Sequence, residues 1–146
     1  MEVSIVERKS LQIVGLSIHT LLQDVDVNGP ALHARYEKRV SEIANRIHPD
    51  IDYAVSVDPP NYNDETDEYK LLIGVEVASL EQIPHEMESY DFLGTFACLL
   101  KTDHSAFGAL IRWVNQSEYE LADIYSIEVH DHTNNSIVLM FPILKK

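Results

Sequence analysis

Glu128 is the position whose surroundings in the sequence could do the most chemistry. It lies in Ile124-Tyr125-Ser126-Ile127-Glu128-Val129-His130, where β-branched and aromatic residues alternate with polar ones. Alternate side chains of a strand share a face. Tyr125, Ile127 and Val129 therefore share one face, and Ile124, Ser126, Glu128 and His130 share the other. On an open face Glu128 is an ordinary solvated carboxylate. Inside a cleft it could hold a cation, or take up a raised pKa through desolvation and move a proton. Trp113 is the only tryptophan. It is either a packing residue or a cleft wall that stacks on a flat ligand and attracts cations through its π face. Phe96, Tyr69 and Tyr90 are further aromatic candidates, and Met140 offers an adaptable apolar wall.

Other constellations are weaker. His130-Asp131-His132 puts two imidazoles on one side of a strand, but no third ligand is visible, so no metal is expected. Asn63-Asp64-Glu65-Thr66-Asp67-Glu68 lacks the glycine and spacing of a calcium loop and reads as a solvated acidic loop. No phosphate loop, dinucleotide motif or nucleophile elbow is present, and nothing calls for a cofactor. Cys98 is the only cysteine. As the only one it excludes an intramolecular disulfide and fits a reducing cytoplasm, and in the apolar run Phe96-Ala97-Cys98-Leu99-Leu100 it reads as a small buried hydrophobe.

These residues must be positioned by strands and helices that the pattern also indicates. Leu11 to Ile18 is a first strand. Asn28-Gly29-Pro30 breaks the chain, with Pro30 placed in the first turn of a helix. That helix runs from Ala31 to Ile47 with Leu32, Tyr36, Val40, Ile43 and Ile47 on its apolar face. Tyr53–Val57 and Tyr69–Val77 alternate as a strand hairpin. The order then recurs. Phe92–Leu100 is a strand. A helix follows from about His104 with Phe107, Leu110, Ile111 and Val114 on one face, and Asp103 as its cap. Ile124–Val129 and Ile137–Phe141 are strands joined by Thr133-Asn134-Asn135. Strand–helix–strand–strand thus occurs twice, which predicts an α+β fold of duplicated βαββ units. The chain has 146 residues, enough for one domain with a sizeable core, spanning residues 1–146.

The charge count restricts partners. Asp and Glu number 24 against 11 Lys and Arg, a net charge of −13. Phosphates are repelled by such a field and small cations attracted. Direct nucleic-acid binding is not expected. No apolar run approaches the roughly 20 residues of a membrane helix, and the start lacks the order of a signal peptide. The expected compartment is the cytoplasm, with no membrane partner.

In their order and spacing, several segments resemble the GyrI-like family, the effector-binding domain of AraC- and MerR-type transcription regulators. They are Tyr53-Ala54-Val55-Ser56-Val57-Asp58-Pro59-Pro60, Gly74-Val75-Glu76-Val77, Gly94-Thr95-Phe96-Ala97, Ile111-Arg112-Trp113-Val114, Glu118-Tyr119, Ile127-Glu128-Val129-His130 and Phe141-Pro142-Ile143. The resemblance spans nearly the whole chain. It implies a pseudo-two-fold domain whose halves form a central cleft for hydrophobic, often cationic compounds, held between aromatic rings with a glutamate, here Glu128, as counter-charge. The family often has tyrosine where this chain has Phe96 and His130. No DNA-binding helix-turn-helix precedes the domain, so a stand-alone member is expected. The implied ligand-binding set is Glu128, Trp113, Phe96, Tyr69, Tyr90, Ser126, His130 and Met140. The resemblance leaves open small-molecule sensing or sequestration, hydrolysis of cyclopropane-bearing DNA-alkylating natural products with Glu128 as the catalytic group, and a protein-interaction role such as gyrase inhibition with no partner indicated.

Overall fold

The computed structural model describes residues 2–146. Seven strands and two α-helices follow the chain as β1 (Ser4–Thr20), α1 (Val25–Arg39), β2 (Ile51–Val57), β3 (Tyr69–Glu76), β4 (Glu88–Leu100), α2 (Ala106–Gln116), β5 (Tyr119–Leu121), β6 (Tyr125–Asp131) and β7 (Ser136–Lys145). All pairings between these strands are antiparallel. The strand order is β4-β1-β3-β2-β6-β7-β5, and β4 also pairs with β7. Six strands therefore close into a ring, and the short β5 extends the β7 edge beyond β6.

The α+β fold is a duplicated βαββ. The pairing of β1 with β3 recurs as β4 with β7, and that of β2 with β3 recurs as β6 with β7. The halves meet through like strands, β2 against β6 and β1 against β4. This is the connectivity of a pseudo-two-fold.

Closure buries both faces of most strands. Side chains pointing inward form one core of Leu11, Ile13, Val55, Leu72, Phe92, Phe96, Ile127 and Met140. Those pointing outward pack under the helices. Val14, Leu16, Leu71, Ile73 and Val75 meet Leu32 and Tyr36 of α1. Ala97, Leu99, Leu139 and Phe141 meet Leu110 and Val114 of α2. Cys98 belongs to the interior, and burial raises its thiol pKa to about 11.

Several boundaries differ from the sequence pattern. The first strand is longer than 11–18, because Ser4 to Arg8 pair with Gly94 to Cys98 before a bulge resets the register at Leu11. The first helix starts at Val25, so Pro30 lies inside it rather than in its first turn. Burial of Val25 against the core and a hydrogen bond from Asn28 Nδ2 to Thr20 Oγ1 at 2.9 Å hold the extra N-terminal turn. The helix ends at Arg39, and Ile47 is exposed, because Arg46 and Ile47 join the edge of β3 instead. Asp103 accepts a 2.7 Å hydrogen bond from the Ser105 N–H just before α2. Phe107, expected on the buried face of that helix, is 48% exposed. Strand β5 was not expected.

The ring also depends on two glycines. Gly15 and Gly74 face each other in register. A Cβ on Gly15 would lie 2.0 Å from the Ile73 carbonyl oxygen. Backbone blocks it, so no side-chain movement relieves the clash. Gly108 in α2 meets only the flexible end of Arg112, at 3.4 Å. Urea denaturation is expected to show Gly15→Ala losing at least the ~1–3 kcal/mol typical of overpacking. Gly108→Ala should gain about 0.5–1 kcal/mol from helix propensity. Equal effects of the two substitutions would contradict this account of the β1–β3 contact.

Candidate functional site

A cavity of about 590 Å³ lies between α1 and the outward faces of β2, β3 and β6. Its space comes from short side chains: Gly29, Pro30 and Ala34 on the helix stand over Ala54 and Ser56 on β2. Tyr69, Leu71 and Ile73 of β3 supply an apolar wall, and His33, Glu37, Glu128 and His130 supply the polar groups. Glu128 pairs in register with Ala54 on β2 and with Leu139 on β7, so on the β2 side only a methyl group stands beside it.

Glu128 is half-buried, with 31% of its side chain exposed, and it already has two partners. Lys101 Nζ lies 3.2 Å from Oε2, and His130 Nε2 lies 2.9 Å from Oε1. The His130 hydrogen bond and the Lys101 charge hold the carboxyl below its usual pKa, outweighing the burial that pushes it up. Lys101 follows β4, and its backbone N–H donates to the Ile137 carbonyl at 2.7 Å, which anchors the base of the side chain while its ammonium reaches Glu128. Glu128 is therefore an ionised acceptor rather than a proton-holding acid.

Tyr69 is buried and packs edge-on against Tyr62, with ring centroids 6.2 Å apart. Its hydroxyl pKa is raised by burial first, then by Tyr62, Asp58 and Glu128. Across the cavity, His33 Nδ1 lies 3.4 Å from Glu37 Oε1 and Nε2 lies 3.9 Å from Asp52 Oδ2.

Glu128 and His130, which the alternation of β6 puts on one face, are brought together in this cavity with Tyr69 of β3. Ser126 shares the outward face of β6 but lines a second cavity of about 260 Å³ on the α2 side. The remaining candidates lie elsewhere. Phe96 and Met140 point into the ring interior, where they are 0% and 6% exposed. Tyr90 stacks on Phe92 at 5.3 Å and accepts a hydrogen bond from Lys70 Nζ at 3.1 Å. Trp113 stacks on Tyr119 at 6.5 Å and packs on the core beneath α2, away from both cavities. His130 and His132 bond to different carboxylates, Glu128 and Asp52, so they do not converge as a chelating pair. Among the described residues no group of three or more His, Cys, Asp or Glu side chains is placed to hold a metal.

Lys101, His33 and Ser56 were missed. Ser56 was within reach of the sequence, because it alternates with Val55 on a strand already recognised. His33 and Glu37 carry a helical i,i+4 spacing. Lys101 carries no local signal, since its partner is 27 residues away.

A family model described as integron-associated effector binding protein matches residues 4–143. The chain belongs to this family. It thereby falls within the GyrI-like effector-binding group that its motifs resemble. Solved structures share the fold of this family member at low identity. SAV2435 bound to tetraphenylphosphonium is 10% identical with a TM-score of 0.68, covering 99% of this chain and 94% of that one. The EcmrR C-terminal domain is 11% identical with a TM-score of 0.69, covering 99% and 98%. The integron cassette protein VCH_CASS2 from the mobile metagenome of Vibrio cholerae is 9% identical with a TM-score of 0.61, covering 97% and 95%. No curated protein sequence matches the chain. No helix is long and apolar enough to cross a membrane among the described residues.

The Glu128 contacts set a pH dependence. Its folded pKa is lowered, so its contribution to stability is present above the ordinary carboxylate range and is lost as pH falls through the lowered value. Glu128→Gln removes that contribution. The stability difference between wild type and variant, measured by chemical denaturation, should be largest near neutral pH and should shrink below about pH 4. A difference that stays constant from neutral to acid pH would contradict the assigned ion pair.

Proposed function

We propose that this effector-binding family member binds small, flat, largely apolar molecules that carry a positive charge, in the cavity beneath α1. The observation that carries this reading is the pairing of Glu128 with Lys101. A half-buried carboxylate on an apolar wall already holds an ammonium group, but that ammonium sits on a flexible, partly exposed side chain. An organic cation can take its place while Tyr69, Leu71 and Ile73 cover its apolar body, and Lys101 returns to water at little cost. The family description supports a small-molecule effector, and the apolar organic cation bound to SAV2435 supports the apolar and cationic parts of this reading, its tetrahedral shape bearing on neither flatness nor stacking. The charge of −13 attracts such ligands and disfavours nucleic acid. The protein would act in the cytoplasm as a sensor or sequestering protein for drugs or toxins.

Hydrolysis of cyclopropane-bearing alkylators is the second reading. It is favoured by one contact, the 2.9 Å approach of His130 Nε2 to Glu128, which could orient a water-activating carboxylate. Incubation with such an alkylator and analysis of the products separates it from binding alone.

Calorimetry with tetraphenylphosphonium tests the primary reading. Glu128→Gln should weaken binding by about 1–3 kcal/mol, the range for losing a charge-assisted contact. Lys101→Met removes the competing ammonium and should tighten it. Tetraphenylborate, a size-matched anion, should not bind. Equal binding of the two ions, or affinity unchanged in Glu128→Gln, would overturn the proposal.

A further inference from the structure

The N-terminal part of β1 leaves one backbone edge unpaired. Ser4 to Arg8 pair with β4 on one side, at Gly94 to Cys98. On the other side, β3 and the residue after it reach β1 only as far as Gln12, whose carbonyl accepts from the Val77 N–H. Among the described residues no strand lies along that side of Ser4 to Arg8. Ser4, Ile5, Val6 and Glu7 are exposed, Ile5 by 42% and Val6 by 36%.

Pro142 fixes which backbone groups face outward. It has no N–H, and its carbonyl accepts from the Ala122 N–H at 2.9 Å on the β5 side of β7. Phe96, opposite Pro142 on β4, therefore turns its backbone groups the other way, toward Val6 of β1. Successive residues of a strand send these groups to alternate sides. Ser4, Val6 and Arg8 thus bond to β4. Val3, Ile5 and Glu7 point their N–H and C=O groups away from it, where a further strand can add.

Charge decides what can add. At a net charge of −13, most of the surface repels a second copy. Residues 2–9 are balanced, with Glu2 and Glu7 against Arg8 and Lys9. Strand β5, at the end of the sheet order, carries Glu120 between Glu118 and Asp123, so two copies would set like charges against each other there. Edge strands are commonly blunted by proline or charge, and residues 3–6 have neither. An antiparallel two-fold pair centred on Ile5 sets Val3 opposite Glu7 of the second copy, and Ser4 opposite Val6. The outward residues Val3, Ile5 and Glu7 then all fall in pairs that exchange both backbone hydrogen bonds. The same register sets Glu2 opposite Arg8 at both ends. Arg8 is held by Glu76 at 3.0 Å through Nη2, which leaves its other guanidinium N–H groups for Glu2.

We infer that residues 3–7 are the interface of a two-fold dimer, in which the sheets of two copies join through β1. This interface is separate from the proposed ligand site and does not rest on it. None of residues 2–8 lines the cavity at Glu128 or the one at Ser126, so pairing leaves both open.

Sedimentation equilibrium of the full chain over a concentration series tests it, with amide hydrogen exchange to locate the contact. A monomer–dimer equilibrium is expected. The amides of Val3, Ile5 and Glu7 should gain protection as concentration rises, while β4 protects those of Ser4 and Val6 throughout. Ile5→Lys sets two like charges at the two-fold and should raise the dimer dissociation constant by about tenfold or more. Glu2→Lys, at an exposed position, sets a lysine opposite Arg8 and should weaken the dimer several-fold, less so at high salt. Circular dichroism of both variants should match the wild type. A chain that stays monomeric at NMR concentration, a dimer that neither variant weakens, or a dimer without the alternating protection would overturn the proposal.

Discussion

The closure of β4 onto β7 governs where chemistry can occur in this domain. Once six strands form a ring, the inward side chains must fill it, and Leu72, Val55, Phe96 and Ile127 do so at no more than 0% exposure. A packed interior has no space for a ligand. The larger cavities accordingly lie on the outward faces, where we propose that ligands bind. There the helix-to-sheet contact can be left incomplete by small residues, as Gly29, Ala34 and Ala54 do under α1. Each of the two cavities along the central β2–β6 pair is lined by residues of both halves.

The two cavities along β2 and β6 treat negative charge differently. Glu128 is compensated from within the chain by Lys101 and His130, which keeps it ionised in the unliganded protein. Any cation entering beneath α1 has to compete with a covalently tethered one. In the proposed binding mode, affinity there would reflect a difference between two cations, with apolar cover from Tyr69 and its neighbours favouring the exchange. Asp58 has no such internal partner, and burial shows directly in its raised pKa. The Glu128 carboxylate is thus paired within the chain, whereas among the described residues Asp58 has no ion-pair partner.

The strand and helix order was legible in the sequence because apolar periodicity changes from two to three or four at each boundary. The face carrying Ser126, Glu128 and His130 was legible for the same reason. The assignment of Phe96 and Met140 to the ligand side was not recoverable from pattern. In a closed ring both faces of a strand such as Phe92–Leu100 are apolar, so parity does not say which one is interior. Trp113 has the same ambiguity on α2, where one apolar stripe serves both core and rim. Pro30 misled because a proline usually marks a helix start, whereas here Val25 and Asn28 hold a turn ahead of it. Lys101 could not be found at all, since its role depends on a contact between β4 and β6 across the fold.

The central claim is that ligands occupy the outward cavities and not the ring interior, with Glu128 exchanging Lys101 for the ligand. A crystal structure of the protein with tetraphenylphosphonium tests it most directly. The account predicts the cation beneath α1, its charge facing Glu128 and its rings against Tyr69, Leu71 and Ile73, with Lys101 withdrawn into solvent. A cation lodged among Phe96, Met140 and Ile127 inside the ring, or one bound beneath α1 with the Lys101–Glu128 contact intact, would contradict it.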